Sequence, residues 1–190
     1  MWRNVPNLLT WLRMLAIPLL VAVHLLPGEP DTTPMRNLAG TVIFVAAAVT
    51  DWVDGWLARR MGVVSSFGAF LDPVADKLLV CAALILLLDL HRVEPLIALI
   101  IIGREIAVSA LREWMAGIGA RASVAVHSIG KFKTIAQLVA IPMLLYHQPL
   151  FGVIPVQRIG TWLIYVAAVL TLWSMFYYLR QAWPHLRDAD

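Results

Sequence analysis

Six long apolar stretches dominate this sequence of 190 residues and restrict the folds that are open to it. They lie at about residues 8–27, 38–60, 68–88, 95–115, 128–147 and 159–182. A helix needs roughly 20 apolar residues to cross the hydrocarbon core of a bilayer, so each stretch is long enough for one crossing. Hydrophobic residues make up 61% of the chain, and the mean hydropathy is +0.78. The sequence therefore predicts an all-α, polytopic membrane protein, in which residues 1–190 form a single bundle of six transmembrane helices.

The basic residues predict the orientation of this bundle. With six crossings both termini lie on one side, and of the 15 Lys and Arg residues only Arg36, Arg92 and Arg158 fall on the other. Positive charge stays in the cytoplasm during insertion, so both termini are predicted to be cytoplasmic. The predicted location of the protein is the inner membrane. This topology explains the pI near 9.4 without a nucleic-acid partner. Aromatic residues near helix ends, Tyr178 among them, are predicted to lie at the membrane interfaces.

Four aspartates lie within 26 residues at the predicted cytoplasmic ends of the second and third helices, namely Asp51, Asp54, Asp72 and Asp76. Spacings of three and four place each pair on one helical face, and a short connection makes the two helices antiparallel neighbours. Two like charges about 4 Å apart repel by roughly 4 kcal/mol at an effective dielectric constant near 20. A pair of hard divalent cations with oxygen ligands, Mg²⁺ or Mn²⁺, would remove this repulsion. Salt bridges and helix caps are the alternative.

These aspartates belong to a longer pattern, Asp51-x-x-Asp54-Gly55-x-x-Ala58-Arg59, eight residues, Gly68, three residues, Asp72, three residues, Asp76. The pattern resembles the signature of the CDP-alcohol phosphatidyltransferase family at every position. The segments "NVPNLLTWLR", "GREIAVSALREWM" and "GKFKTIAQ" are similar to the phosphatidylglycerophosphate synthase branch, and the resemblance covers about residues 4–145.

This resemblance implies a six-helix protein that forms a homodimer, binds two divalent ions and uses CDP-diacylglycerol as its donor. It implies metal ligation by Asp51, Asp54, Asp72 and Asp76, and Asp76 is also the expected general base. It further implies a cytidine site lined by four residues of the signature, Gly55, Ala58, Arg59 and Gly68. Close packing of the two helices would also explain the three small residues.

Basic residues later in the chain predict the acceptor. Arg104 and Arg112 lie eight positions apart on the fourth helix, and Lys131 and Lys133 begin the fifth. Such residues bind phosphate, so they predict an acceptor that carries a phosphate group. The resemblance to the phosphatidylglycerophosphate synthase branch implies that this acceptor is glycerol 3-phosphate. Pairing of Arg104 with an acidic residue of the bundle, and a topological role for the lysines, are the alternatives.

The first helix carries a polar seam of Asn7, Thr10 and Arg13 at helical spacing. These residues are predicted to contact the donor's phosphate, and an interfacial helix start is the alternative.

The predicted reaction transfers a phosphatidyl group from CDP-diacylglycerol to glycerol 3-phosphate, which yields phosphatidylglycerol phosphate and CMP. Asp76 would accept the proton of the attacking hydroxyl. Inositol phosphate and phosphatidylglycerol remain alternative acceptors. A cation transporter is less favoured, because the acids gather at one membrane face and the second half of the chain holds no inverted repeat of them.

Overall fold

The computed structural model describes residues 5–25, 34–61, 66–118 and 128–187, with side chains at 10–25, 34–51, 53, 71–118 and 132–183. The described chain forms six helices: α1 (Val5–Leu25), α2 (Pro34–Met61), α3 (Ser66–Asp89), α4 (Pro95–Gly117), α5 (Ser128–Tyr146) and α6 (Val156–Arg187). Over these residues there is no β-strand, so the prediction of an all-α fold is confirmed. The helix bounds lie within a few residues of the predicted stretches.

Short connections determine how the helices are arranged. The turn between α3 and α4 reverses the chain through His91, whose φ of 56° lies in the left-handed region. Pro95 then occupies the start of α4. Proline is tolerated there because the first backbone N–H groups of a helix have no partner within the helix. Neighbouring helices are consequently antiparallel. The odd-numbered helices begin, and the even-numbered helices end, at the same end of the bundle.

One apolar core joins all six helices. Its buried members include Leu20 on α1, Phe44 on α2, Leu84 on α3 and Ile101 on α4. Residues of α5 and α6 complete it, and Gly160 permits close contact there, because a Cβ at this position would lie 3.0 Å from Met143 Cβ. A smaller cluster between α4 and α6 contains Val108, Met115, Tyr178 and Ala182. This smaller cluster lies near the end of the bundle that carries the predicted aspartates.

The outer surface of the bundle is also apolar. On α6, Trp162 is 74% exposed and Trp173 64% exposed, and other large apolar side chains along the helix are exposed as well. Within the described residues, one helix, Val156–Trp183, is long and apolar enough to cross a membrane by that measure alone, and shorter apolar helices occur at Thr10–Leu25 and Phe132–Tyr146. Six crossings and cytoplasmic termini remain predictions.

Candidate active site

A buried arginine lies between two of the predicted aspartates. Arg13 of α1 is 1% exposed, and its Nη1 lies 2.9 Å from Asp51 Oδ1 on α2 and 2.9 Å from Asp76 Oδ1 on α3. Because one nitrogen reaches both oxygens, the two carboxylates must lie close together. Sequence reasoning placed Arg13 near the donor phosphate and did not identify it as the partner of these acids. An arginine inside a predicted membrane helix requires counter-charges, and that is the signal that could have identified this contact.

Thr10 lies one helical turn before Arg13 and contacts a third aspartate. Its hydroxyl donates a hydrogen bond of 2.6 Å to Asp72 Oδ1. Three helices thus bring together Asp51, Asp72 and Asp76, a group that we term the acidic cluster. The donor-binding role predicted for Thr10 remains a prediction, and the described contact is with a carboxylate.

The acidic cluster supplies carboxylate oxygens at the place where the sequence predicts divalent cations. Asp51 and Asp76 keep 42% and 45% of their side chains exposed, although Arg13 beside them is fully buried. Their oxygens therefore remain accessible to further ligands, and a single guanidinium does not balance three carboxylates. Oxygen ligands of this kind are preferred by Mg²⁺ and Mn²⁺. Among the described side chains, no group of three or more His, Cys, Asp or Glu residues is arranged to hold a metal ion, and the side chain of Asp54 lies outside them.

Next to the acidic cluster is a cavity of about 230 Å³. Its charged lining residues come from three helices and comprise Asp76, Lys77, Arg104, Glu105, Arg112 and Lys133. We term this space the basic cavity, because four cationic side chains face only two carboxylates. Asp76 belongs to the acidic cluster and also lines the basic cavity. The two groups of charged residues therefore adjoin each other at this carboxylate.

Inside the basic cavity, one carboxylate serves two buried cations. Glu105 Oε1 lies 3.3 Å from Arg104 Nη1 and also accepts a hydrogen bond from Lys133 Nζ. Arg104 and Lys133 are 6% and 3% exposed. The pairing foreseen as an alternative for Arg104 is therefore present, and it occurs on the wall of the cavity.

Two further donor atoms on this wall have no acceptor among the described residues, namely Arg104 Nε and Gln137 Nε2. Gln137 is 4% exposed, so water reaches its amide poorly. Buried donors without acceptors are rare in proteins, and a ligand rich in oxygen would satisfy both of these.

The last helix supplies two residues that sequence reasoning missed. Ser174 Oγ accepts a hydrogen bond of 3.0 Å from Arg104 Nη2, and Tyr178 OH accepts one of 3.0 Å from Arg112 Nη2. The interfacial position predicted for Tyr178 is wrong, because its side chain is 1% exposed and packs from α6 against residues of α4. Its contacts connect positions 66 residues apart, which helical periodicity cannot reveal.

Several predicted site residues have no described side chain. They lie in helices α1, α2, α3 and α5 and comprise Asn7, Asp54, Gly55, Ala58, Arg59, Gly68 and Lys131. Their predicted roles in binding the metal ions, the donor and the acceptor remain predictions.

Comparison with known proteins identifies close relatives of this chain. Residues 3–173 match the family model described as CDP-alcohol phosphatidyltransferase. Proteins from Shigella flexneri serotype 5b and Escherichia coli K12, both named CDP-diacylglycerol--glycerol-3-phosphate 3-phosphatidyltransferase, are each 49% identical to it over 187 residues. These alignments cover 97% of this chain and 98% of each relative. The chain therefore belongs to the CDP-alcohol phosphatidyltransferase family.

Proposed function

We propose that this protein transfers the phosphatidyl group of CDP-diacylglycerol to glycerol 3-phosphate, which produces phosphatidylglycerol phosphate and CMP. The relatives named for this reaction share nearly half of their residues with the chain along almost its full length. The observation that carries the proposal is the position of Asp76, which borders both the acidic cluster and the basic cavity. A carboxylate in that position separates a site suited to metal ions from a site suited to an anion.

The charge of the basic cavity supports an acceptor that carries a phosphate. A phosphate monoester has a charge between about −1.5 and −2 at neutral pH. Lys77, Arg104, Arg112 and Lys133 exceed the two carboxylates of the cavity by two charges, so such a group would be neutralised there. Its oxygens would also accept hydrogen bonds from the buried Arg104 Nε and from Gln137. Serine, which lacks a phosphate, would leave this charge unbalanced.

The reaction breaks one bond and forms one bond at phosphorus. A free hydroxyl oxygen of glycerol 3-phosphate attacks the phosphorus that bears diacylglycerol, and the bond from that phosphorus to the CMP oxygen breaks. Asp76 accepts the hydroxyl proton, since it lies at the border between the acceptor cavity and the acidic cluster. Arg13, which contacts Asp51 and Asp76, holds both carboxylates in place. No covalent enzyme intermediate is required.

Members of the family generally depend on divalent metal ions. In this chain Asp51, Asp54, Asp72 and Asp76 would hold two such ions, Mg²⁺ or Mn²⁺. When bound, the ions would neutralise the diphosphate of the donor and the charge of the leaving CMP. The donor's cytidine would bind to the signature residues of α2 and α3. The side chains of Asp51 and Asp76 in the acidic cluster remain exposed enough to accept ligands.

The proposed location is the inner membrane, with six crossings and with the active site facing the cytoplasm. The apolar outer surface of α6 supports it, because exposed tryptophans such as Trp162 and Trp173 suit contact with lipid. The acids of the acidic cluster and the cations of the basic cavity lie at the end of the bundle that the positive-inside rule predicts to be cytoplasmic. The homodimer implied by the family resemblance is part of the same proposal.

The decisive experiment is an acceptor panel with purified protein and radiolabelled CDP-diacylglycerol. Glycerol 3-phosphate should be converted, and inositol phosphate, phosphatidylglycerol and serine should not. Lys133→Met should raise the KM for glycerol 3-phosphate about tenfold or more, the effect of losing one hydrogen bond to a charged group, and leave the KM for the donor unchanged. Arg158→Met, an exposed basic residue at the opposite end of the bundle, is the control. Conversion of another acceptor in preference to glycerol 3-phosphate would refute the proposal.

A further inference from the structure

Two arginines of the basic cavity share one aromatic ring. The guanidinium carbon of Arg112 lies 5.0 Å from the centroid of the Tyr178 ring, and that of Arg104 lies 5.6 Å from it. Both distances are within the range of a cation–π interaction. The Tyr178 hydroxyl additionally accepts the 3.0 Å hydrogen bond from Arg112 Nη2. One buried tyrosine on α6 therefore contacts both cationic side chains that α4 contributes to the cavity.

We propose that Tyr178 is a positioning residue that holds Arg104 and Arg112 in the geometry required to bind the acceptor's phosphate. The inference rests on the proposed function and deepens it, since it assigns to α6 a part in acceptor recognition. Tyr178 lies beyond residue 173, where the match to the family model ends. A long arginine side chain loses much rotational freedom when it binds a ligand. Arginines that are already held against a ring lose less, and they bind phosphate more tightly.

The surroundings of Tyr178 fit this role. The residue is 1% exposed and packs with Val108, Met115 and Ala182, so the ring itself has a fixed position. Ser174 lies one turn earlier on the same helix, accepts the hydrogen bond from Arg104 Nη2, and donates one to the Thr171 carbonyl at 2.9 Å. α6 thus provides each arginine with a hydrogen-bond acceptor and provides both with a common aromatic face.

Tyr178→Phe tests this proposal with little risk to folding, because it retains the ring and removes only the hydroxyl. The KM for glycerol 3-phosphate should rise roughly tenfold, and the KM for CDP-diacylglycerol should not change. Tyr178→Leu, which also removes the ring, should raise the acceptor KM further, to about 100-fold above wild type. A structural role alone would lower stability and affect both substrates equally.

The neighbouring tyrosine is a matched control. Tyr177 accepts a 2.7 Å hydrogen bond from Gln181 on α6 itself and lines no part of the basic cavity. Tyr177→Phe should therefore keep both KM values at those of wild type. Ser174→Ala, which removes the acceptor of Arg104, should behave like Tyr178→Phe.

Binding of inorganic phosphate supplies a readout that does not depend on turnover. Phosphate should raise the melting temperature of the wild-type protein, and Tyr178→Phe should require about ten times more phosphate for the same increase. If the wild-type protein does not use glycerol 3-phosphate but this difference persists, the acceptor assignment is wrong and the positioning role stands. If Tyr178→Phe matches wild type in both acceptor KM and phosphate response, or if it raises both KM values equally, the positioning role is refuted.

Discussion

Replacement of Glu105 by glutamine removes one negative charge from the basic cavity and leaves the shape of the side chain almost unchanged. In the wild-type protein this one carboxylate pairs with both Arg104 and Lys133. In Glu105→Gln the two buried cations would face each other without it. We expect the variant to be less stable than wild type and to depend on phosphate for its stability.

The magnitude follows from the burial of the pair. Removal of one partner from a buried ion pair lowers the free energy of unfolding by roughly 3–5 kcal/mol. Arg104 and Lys133 are 6% and 3% exposed, which places them in that class. The glutamine oxygen can still accept one hydrogen bond, so we expect the lower value, about 3 kcal/mol. In a protein of this size that corresponds to a decrease in melting temperature of roughly 10 °C.

The assay compares the melting temperatures of wild type and variant in detergent, first in phosphate-free buffer and then with increasing phosphate. A ligand present at 100 times its Kd stabilises the folded state by about 2.7 kcal/mol, which is close to the expected loss. Phosphate would meet an excess of three positive charges in the cavity of the variant and of two in that of the wild type, so it should bind the variant more tightly. The difference in melting temperature should therefore decrease as phosphate is added.

Glu113→Gln is the matched control. Glu113 also follows an arginine on α4, but its side chain is exposed, and loss of an exposed charge changes stability by only about 0.5 kcal/mol. Two results would refute the reasoning. The first is a Glu105→Gln variant that is as stable as wild type in phosphate-free buffer. The second is a difference in melting temperature between the two proteins that added phosphate does not reduce.

Three other outcomes test the remaining parts of the site. Asp76→Asn should lower the rate of transfer by at least about 100-fold while CDP-diacylglycerol still binds. The control, Asp89→Asn at the opposite end of α3, should keep the wild-type rate. A wild-type rate in Asp76→Asn would show that Asp76 is not the general base. Chelation of divalent ions should abolish transfer and Mg²⁺ or Mn²⁺ should restore it, whereas activity that survives chelation would contradict the metal site. Arg92→Met should lower the free energy of unfolding by about 3 kcal/mol, because three acceptors on Leu144, Leu145 and Asn37 lose their donor, and should leave both KM values unchanged. An altered acceptor KM in that variant would show that the two ends of the bundle are coupled.

Sequence reasoning was most successful where the signal is local. The spacing of Asp51 and Asp76 on two helices joined by a short connection was enough to predict that their carboxylates lie near each other, and both contact the same nitrogen. It was less successful for aromatic residues. Tyr178 is an aromatic residue near a helix end, which is typical of an interfacial residue, and the same holds for its neighbour Tyr177. Only the burial of the Tyr178 side chain against α4 distinguishes the two.

The sequence by itself determined the six helices and the face that carries the aspartates, because both depend on apolar length and on periodicity over a few residues. Only the tertiary structure decided which cation lies between two of those acids and which residues contact the arginines of the basic cavity. The contacts of Arg13 with Asp76 and of Arg112 with Tyr178 join residues 63 and 66 positions apart. Such contacts depend on how α1 packs on α3 and α4 on α6. Many apolar faces of similar composition permit different packings, so no local pattern specifies them.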